Sequence, residues 1–557
     1  MSKKLWYSAG VMAILVVTAL VGKAQGSGQC FPANTCTEGP AMAQAQGQGN
    51  AAPALPPGGP PDSYPTPPAG MVQGPVLYKL DDAYLEWPLS PADKAYGSID
   101  GKHIHQYVED LTAISRKYRD DGHPQFWGRI IGTSAHAEAE QWLMDKFNKI
   151  GLTDVHLQPF DLPPQWMPQS WDITATGQGK TLHLVATEPA YQTTGTTGDG
   201  LDLQAVYAGT GSEADFVGKD VRGKAVFIFS MPFQSSYRRM DSAEGATRIA
   251  QEHGAAAVFV IVGLPGNFKE QFYPTPTTVP TFEVGMDDGY AMRQLIGQSP
   301  ADNPPHVKVR LDIQMVPNLK TGTVWGTLPG ATDETIYIMA HLDGWFESGT
   351  DNASGVATMV GLAEYFAKIP KAKRRRTIVF FGATGHHNGM NVTGTWVVAH
   401  RDELFAKTAL LLNCEHTSTV QTYMFGEALR QANTNTALMW YAGGPRRPKL
   451  EDIAVKAFHD MGVVTYATPE LSSPPGEMSG MWPYVPSVGA SDYNTYFHSD
   501  QESADKVPWT GLQEITRAFA KIIDGVNTLD LTDLQRPPEP PRGAPAPVAA
   551  PRTTGQQ

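Results

Sequence analysis

Hydrophobic and polar positions change rhythm twice along this chain of 557 residues. Near the start of the patterned region, "HIHQYVEDLTAISRKY" places Val108, Leu111 and Ile114 on one face, which predicts an amphipathic helix. "AHAEAEQWLMDKFNKIG" predicts a second helix, ended by Gly151. From about Gln165 to Val316 the sequence is strand-like and rich in turns, with "VRGKAVFIFS" and "AAAVFVIVG" as strands and "SAEGATRIAQEHG" as a helix. After Val316, strands alternate with helices. "ETIYIMAHLDG", "RTIVFFGAT" and "TALLLNCEH" read as buried strands. "NASGVATMVGLAEYFAKIP" reads as a helix with Val356, Val360, Ala363 and Ala367 in one stripe, stopped by Pro370. "TGLQEITRAFAKIIDGV" closes the pattern as a helix with a capping box from Thr510 to Gln513. This alternation predicts an α/β fold: a mostly parallel mixed sheet with helices on both faces.

The two ends lack such a pattern. Residues 25–75 are dominated by Gly, Ala, Gln and Pro, and the tail from 535 to 557 has the same character; both predict disorder. Residues 1–24 read as an export signal: Lys3 and Lys4, then an uncharged, mostly apolar stretch from Leu5 to Gly22, then small residues around Gly22 and Ala24. That stretch is just long enough to span a bilayer, so an uncleaved membrane anchor is the alternative; the sequence holds no second candidate span. Export would favour a local disulfide between Cys30 and Cys36, leaving Cys414 as a buried small residue in an apolar run. A formal charge of −13 argues against nucleic-acid binding. The basic run "KAKRRR", Lys371 to Arg376, lies between a helix and a strand and reads as a solvated turn.

The candidate chemistry sits where strands end, which is where open α/β sheets bind their ligands. Three apolar strands end on metal-ligating residue types: His341, the His386–His387 pair, and Glu415. In "AHLDG", His341 and Asp343 are two apart on an extended chain and face the same way, as a ligating imidazole and its orienting carboxylate would. Asp351 follows in "SGTDNASG", just before a helix, as either a helix cap or a further ligand. His103 and His105 diverge on their helix and are not expected to ligate.

With these residues in hand, "AHLDG…GTDNASGVA" resembles the first metal-binding segments of metallopeptidase family 28, co-catalytic zinc exopeptidases of the aminopeptidase and glutamate carboxypeptidase type. "WGRIIGTSAHAEAEQWLMDKFNKIG" resembles the family's opening segment, and "FHSDQESADKV" the closing segment with the last ligand histidine. "VYAGTGSEADFVGKDVRGKAVFIF…GAAAVFVIV" is similar to the β-rich protease-associated domain that some members insert. The resemblance implies an N-terminal catalytic part at 76–190, the inserted domain at 191–316, and the main zinc-peptidase-like part at 317–534. It also implies one or two zinc ions: His341, Asp351 and Glu415 hold one, and Asp351 bridges to a second held by His498, with Asp343 orienting His341.

The family carries two consecutive glutamates after the second of these strands, a general base and a ligand. Here "GHHNGM" takes their place, putting His386 at the base and His387 at the ligand; anchored on "FFGA" instead, Thr384 and Gly385 fall there. Neither alignment retains a glutamate. The expected activity is an exported zinc-dependent hydrolase of peptides or related small amides, an exopeptidase with His386 as base or substrate contact. The alternative is a relative that binds a peptide or protein partner without turnover. Oligomeric state is left open by the sequence.

Overall fold

The computed structural model describes residues 85–230, 239–271, 277–425, 428–442, 447–467 and 476–534. The expected export signal, linker, Cys30–Cys36 disulfide and tail lie outside the described residues. Among those described, no helix is long and apolar enough to cross a membrane.

The main sheet has eight strands: β1 (Thr153–Asp161), β2 (Lys320–Leu328), β3 (Thr335–His341), β4 (Thr377–Ala383), β5 (Thr408–Asn413), β6 (Leu438–Ala442), β7 (Thr465–Ala467) and β8 (Ser487–Ser491). Their order is β7-β6-β8-β5-β3-β4-β2-β1. The central four, β4, β3, β5 and β8, are parallel, while β2 joins β4 antiparallel and β6 joins β8 antiparallel. Both faces are covered, which explains the continuous apolar strands. On one side Ile338, Phe380 and Leu412 pack against helices α1 (Gly101–Asp120), α2 (Ser134–Ile150), α3 (Gly355–Ala367) and α6 (Trp509–Val526). On the other, Tyr337, Phe381 and Leu411 pack against Val397 of α4 (Val392–Ala399) and Met478. Helix α5 (Pro448–Asp460) lies on the first side, with Phe458 in the same cluster.

Local signals account for most element ends. Asp100 caps α1 by accepting from the Lys102 and His103 amides, and Gly151 ends α2 in the left-handed region at φ 92°. The capping box expected at α6 does not form. The helix begins at Trp509 after Pro508, and the Gln513 side chain instead accepts from the Gly101 amide at 3.0 Å, so a tertiary contact has taken the residue that would have reached back. The basic run also differs from a wholly solvated turn. Arg376 is buried, donating to the carbonyls of Val526 and Leu529, each at 2.7 Å, and to Glu334 at 2.8 Å; it caps the carbonyl end of α6 and the turn beyond it.

Between β1 and β2 the chain builds a second eight-stranded sheet. It begins at Gln165 rather than at the expected boundary of residue 191, because Gln165–Gly177 pairs antiparallel along its length with His306–Val316. Lys180–His183 and Thr187–Pro189 belong to it as well. That pairing joins segments far apart in sequence, so local pattern could not reveal it. Trp171, Phe227, Phe259, Phe282 and Val309 form its core.

The two sheets meet through a short backbone seam. The Gln271 amide donates to the His498 carbonyl at 2.9 Å, and the Asp500 amide to the Lys269 carbonyl at 3.1 Å.

Candidate metal centre

The carboxyl ends of β3, β4, β5 and β8 converge on Asp351, which is fully buried. Beyond β3 the chain turns through Phe346 and Ser348, both left-handed at φ 55°, and delivers Asp351 ahead of α3. Four imidazoles surround its carboxylate. The Nε2 atoms of His341 and His416 each lie 2.9 Å from Oδ1. Those of His387 and His498 lie 3.1 Å and 2.8 Å from Oδ2. One carboxylate with two imidazole nitrogens on each oxygen is the arrangement of a bridge between two cation positions.

The supports behind these groups fix their orientation. His341 Nδ1 faces the backbone oxygen of Asp343 at 3.0 Å and its Oδ1 at 3.8 Å, so Asp343 orients His341 mainly through its backbone. The Asp343 carboxylate accepts the His387 amide at 2.8 Å instead. Glu502 accepts the amides of both Asp351 and His498 at 2.8 Å, tying the two segments together. The Trp345 ring lies 4.6 Å from the ring of His387 and 4.8 Å from that of His498. Deeper still, the buried Arg129 guanidinium donates to the carbonyls of Leu342, Glu347 and Ser348, holding the β3–Asp351 loop.

Electrostatics follow from burial and these neighbours. Burial alone would raise the Asp351 carboxyl, but His416, His387 and His341 hold it well below the usual range. Burial pushes His498 down to about 3, so this imidazole is neutral and fit to ligate. Burial works against a charge on His386 too, yet Glu477 outweighs it and lifts this histidine to about 10.

Of the expected site residues, the structure brings His341, Asp343, Asp351, His387 and His498 together here. Thr384 does not join them. Its hydroxyl contacts Thr321 and His136, which shows that His387, not Gly385, is the residue facing Asp351. His386 points to the other side of its turn, with Nδ1 2.9 Å from Glu477 Oε1 and its ring 4.4 Å from that of His341. Glu415 reaches the cluster, its carboxylate lying within 4.8 Å of His341 and His416 nitrogens, but the residue in contact with Asp351 is its neighbour, His416. His416 and Glu477 escaped the sequence reading. An adjacent pair cannot tell which member faces inward, and Glu477 sits on a short helical turn (Gly476–Gly480) without a periodic pattern.

The donor set fits a divalent ion. His341 Nε2 and Asp351 Oδ1 are buried 2.9 Å apart, yet neither makes an aligned hydrogen bond among the described residues, nor does either ring nitrogen of His416. Such orphaned atoms would be costly unless they share a cation. A cavity of about 220 Å³ opens beside them, lined by His386, Glu415, His416, Ser479 and Tyr493.

Residues 323–523 match the model of Peptidase family M28. No curated protein sequence matches the chain. Among solved structures, the M28 peptidase precursor from Shewanella amazonensis SB2B is similar at TM-score 0.61 and 18% identity, covering 80% of this chain and 97% of that one. BSAP, a zinc aminopeptidase from Bacillus subtilis, follows at TM-score 0.56 and 17% identity, covering 76% and 94%. An aminopeptidase from Aneurinibacillus sp. strain AM-1 is similar at TM-score 0.51 and 16% identity, covering 77% and 95%. At these identities the likeness is one of fold.

Proposed function

The chain belongs to peptidase family M28 through residues 323–523, and on that footing we propose that it is an exported zinc-dependent exopeptidase of the aminopeptidase type. The observation that carries this reading is the Asp351 carboxylate with four imidazoles on its two oxygens beside an open pocket. His341, Asp351 and His416, with Glu415 in reach, would hold one ion; Asp351, His387 and His498 would hold the other. His387 thus takes the place of a ligand glutamate. Bound zinc polarises a carbonyl and lowers the pKa of an attacking water. Within the chain, Asp343 orients His341 and His387, and His386 faces the pocket as a substrate contact. The inserted sheet, in the role of a protease-associated domain, borders the approach through its seam with the His498 loop. Export is supported by the basic and apolar N-terminal stretch, and peptides or small amides are the substrates.

The missing glutamate pair favours one other reading, a peptide-binding relative without turnover. Zinc stoichiometry together with a screen of aminoacyl amides and short peptides decides between them. Two ions with release of amino-terminal residues supports the exopeptidase; two ions without hydrolysis of any member supports the binding protein.

A further inference from the structure

The turn that aims His387 leaves β4 through a clamp of buried polar groups drawn from β2, α2 and α4. Thr384, the first residue past β4, is buried, and three bonds hold it. Its amide donates to Thr393 Oγ1 of α4 at 2.8 Å, and Thr393 bonds Thr323 of β2 at 2.7 Å. Its hydroxyl bonds Thr321 of β2 and lies 3.1 Å from Nε2 of His136, in the first turn of α2.

His136 is itself fixed. It is buried, Thr133 Oγ1 accepts its amide at 3.4 Å, and its Nε2 lies 3.1 Å from Oε1 of Glu140, one helical turn on. That Glu140 oxygen accepts the Gly322 amide of β2 at 2.7 Å, so the partners that grip Thr384 from α2 and β2 also hold each other. Past the clamp, Gly385 is left-handed at φ 88°, and a Cβ there would meet Val392 Cγ2 at 2.7 Å. A turn packed this tightly passes a displacement at Thr384 on to His387, whose amide Asp343 accepts and whose Nε2 stands 3.1 Å from Asp351. His341 and His416 come from the ends of β3 and β5, and neither bonds Thr384 or His136 among the described residues.

We propose that His136 is a positioning residue for one of the two cation positions. Through Thr384 it sets the direction of His387, and so the affinity of the position formed by Asp351, His387 and His498. The position formed by His341, Asp351 and His416 does not depend on it. The assignment rests on the two-ion reading above. Groups that hold a ligand from behind change metal affinity by about 10–100-fold, and His136, acting through one further residue, belongs at the low end of that range.

Zinc titration of the metal-free protein, followed by calorimetry, tests this. His136→Leu removes both ring nitrogens from the clamp, and Thr384→Val removes the hydroxyl they face while keeping the branched shape. Each variant should keep one zinc step of the wild type and weaken the other roughly 10-fold. The weakened step should be the one that His387→Ala loses. The double variant should weaken it no further than either single one, because both act on one contact. His136→Gln, whose amide nitrogen reaches where Nε2 stands, should restore the step, a rescue that a general loosening of the fold would not show. If His136→Leu does not fold, Thr384→Val carries the same test. Equal weakening of both steps, or an unchanged pair of steps in Thr384→Val, would overturn the assignment. A wild type that takes up fewer than two zinc ions removes the two-ion reading and this assignment with it, an outcome told apart because it is read before any variant.

Discussion

Replacing Arg129 with methionine should loosen the loop that carries Asp351. Arg129 is 1% exposed and donates to the carbonyls of Leu342 at 3.0 Å, Glu347 at 2.8 Å, Ser348 at 3.2 Å and Leu111 at 3.2 Å, and to Ser115 Oγ at 3.1 Å. The Ser348 carbonyl also accepts from the Ala353 amide, so it keeps a partner in the variant. The Leu342 and Glu347 carbonyls have no other donor among the described residues. Each stranded buried acceptor costs about 1–3 kcal/mol. Methionine recovers part of the packing and removes a buried charge, whose burial already pulls the guanidinium down to about 10. The net loss should be about 2–4 kcal/mol, read from urea unfolding as a lower midpoint at unchanged slope. Zinc affinity should fall alongside, since Leu342 to Ser348 span the path from His341 to Asp351. A loss under about 0.5 kcal/mol with zinc affinity intact would refute the argument that this guanidinium holds the loop.

His387→Ala should retain one zinc and lose the other, whereas His386→Ala should retain both and lower turnover; metal analysis of the two purified variants checks the pair. Chelator treatment should lower the thermal midpoint and zinc should restore it, because binding to the native state adds stability by mass action; a midpoint indifferent to zinc would contradict the metal centre. Glu514 gives a pH dependence away from the site. Burial raises its carboxyl to about 8 against Arg517, so between pH 4.5 and 8 the unfolded chain has released a proton that the folded chain keeps. Its contribution is therefore fully present below pH 4.5 and is lost as pH rises through 8; Glu514→Gln should gain stability over the wild type at pH 8.5 but not at pH 4.5, as measured by urea unfolding at both.

The parallel-strand core and the metal-ligating residue types at its edge were legible because both leave local marks. An apolar run ending in His341, with Asp343 two residues on, fixes strand, edge and facing direction at once. The same logic placed the His386–His387 pair at the end of β4, whereas His498 came only from the resemblance of its closing segment. The logic failed one residue past Glu415, because the left-handed backbone at His416 overrides the alternation by which strand residues are assigned to faces. Glu477 and Arg129 were hidden for a different reason: each reaches the centre by tertiary approach from segments whose own pattern carries no chemistry. The start of the inserted sheet was misplaced likewise, since Gln165–Gly177 is defined by its partner at His306–Val316.

The seam at His498 changes what the inserted sheet means for the handling of this chain. His498 is left-handed at φ 59°, a conformation that costs a non-glycine residue about 1–3 kcal/mol and persists only when neighbours on both sides impose it. Glu502 grips its amide and Gln271, from the insertion, grips its carbonyl. The insertion is thus a splint on an imidazole that faces Asp351, not a passenger. Trimming residues 165–316 from the chain would take the Gln271 amide from that carbonyl, and a large substrate leaning on the inserted sheet would bear on the His498 loop through Lys269 and Gln271.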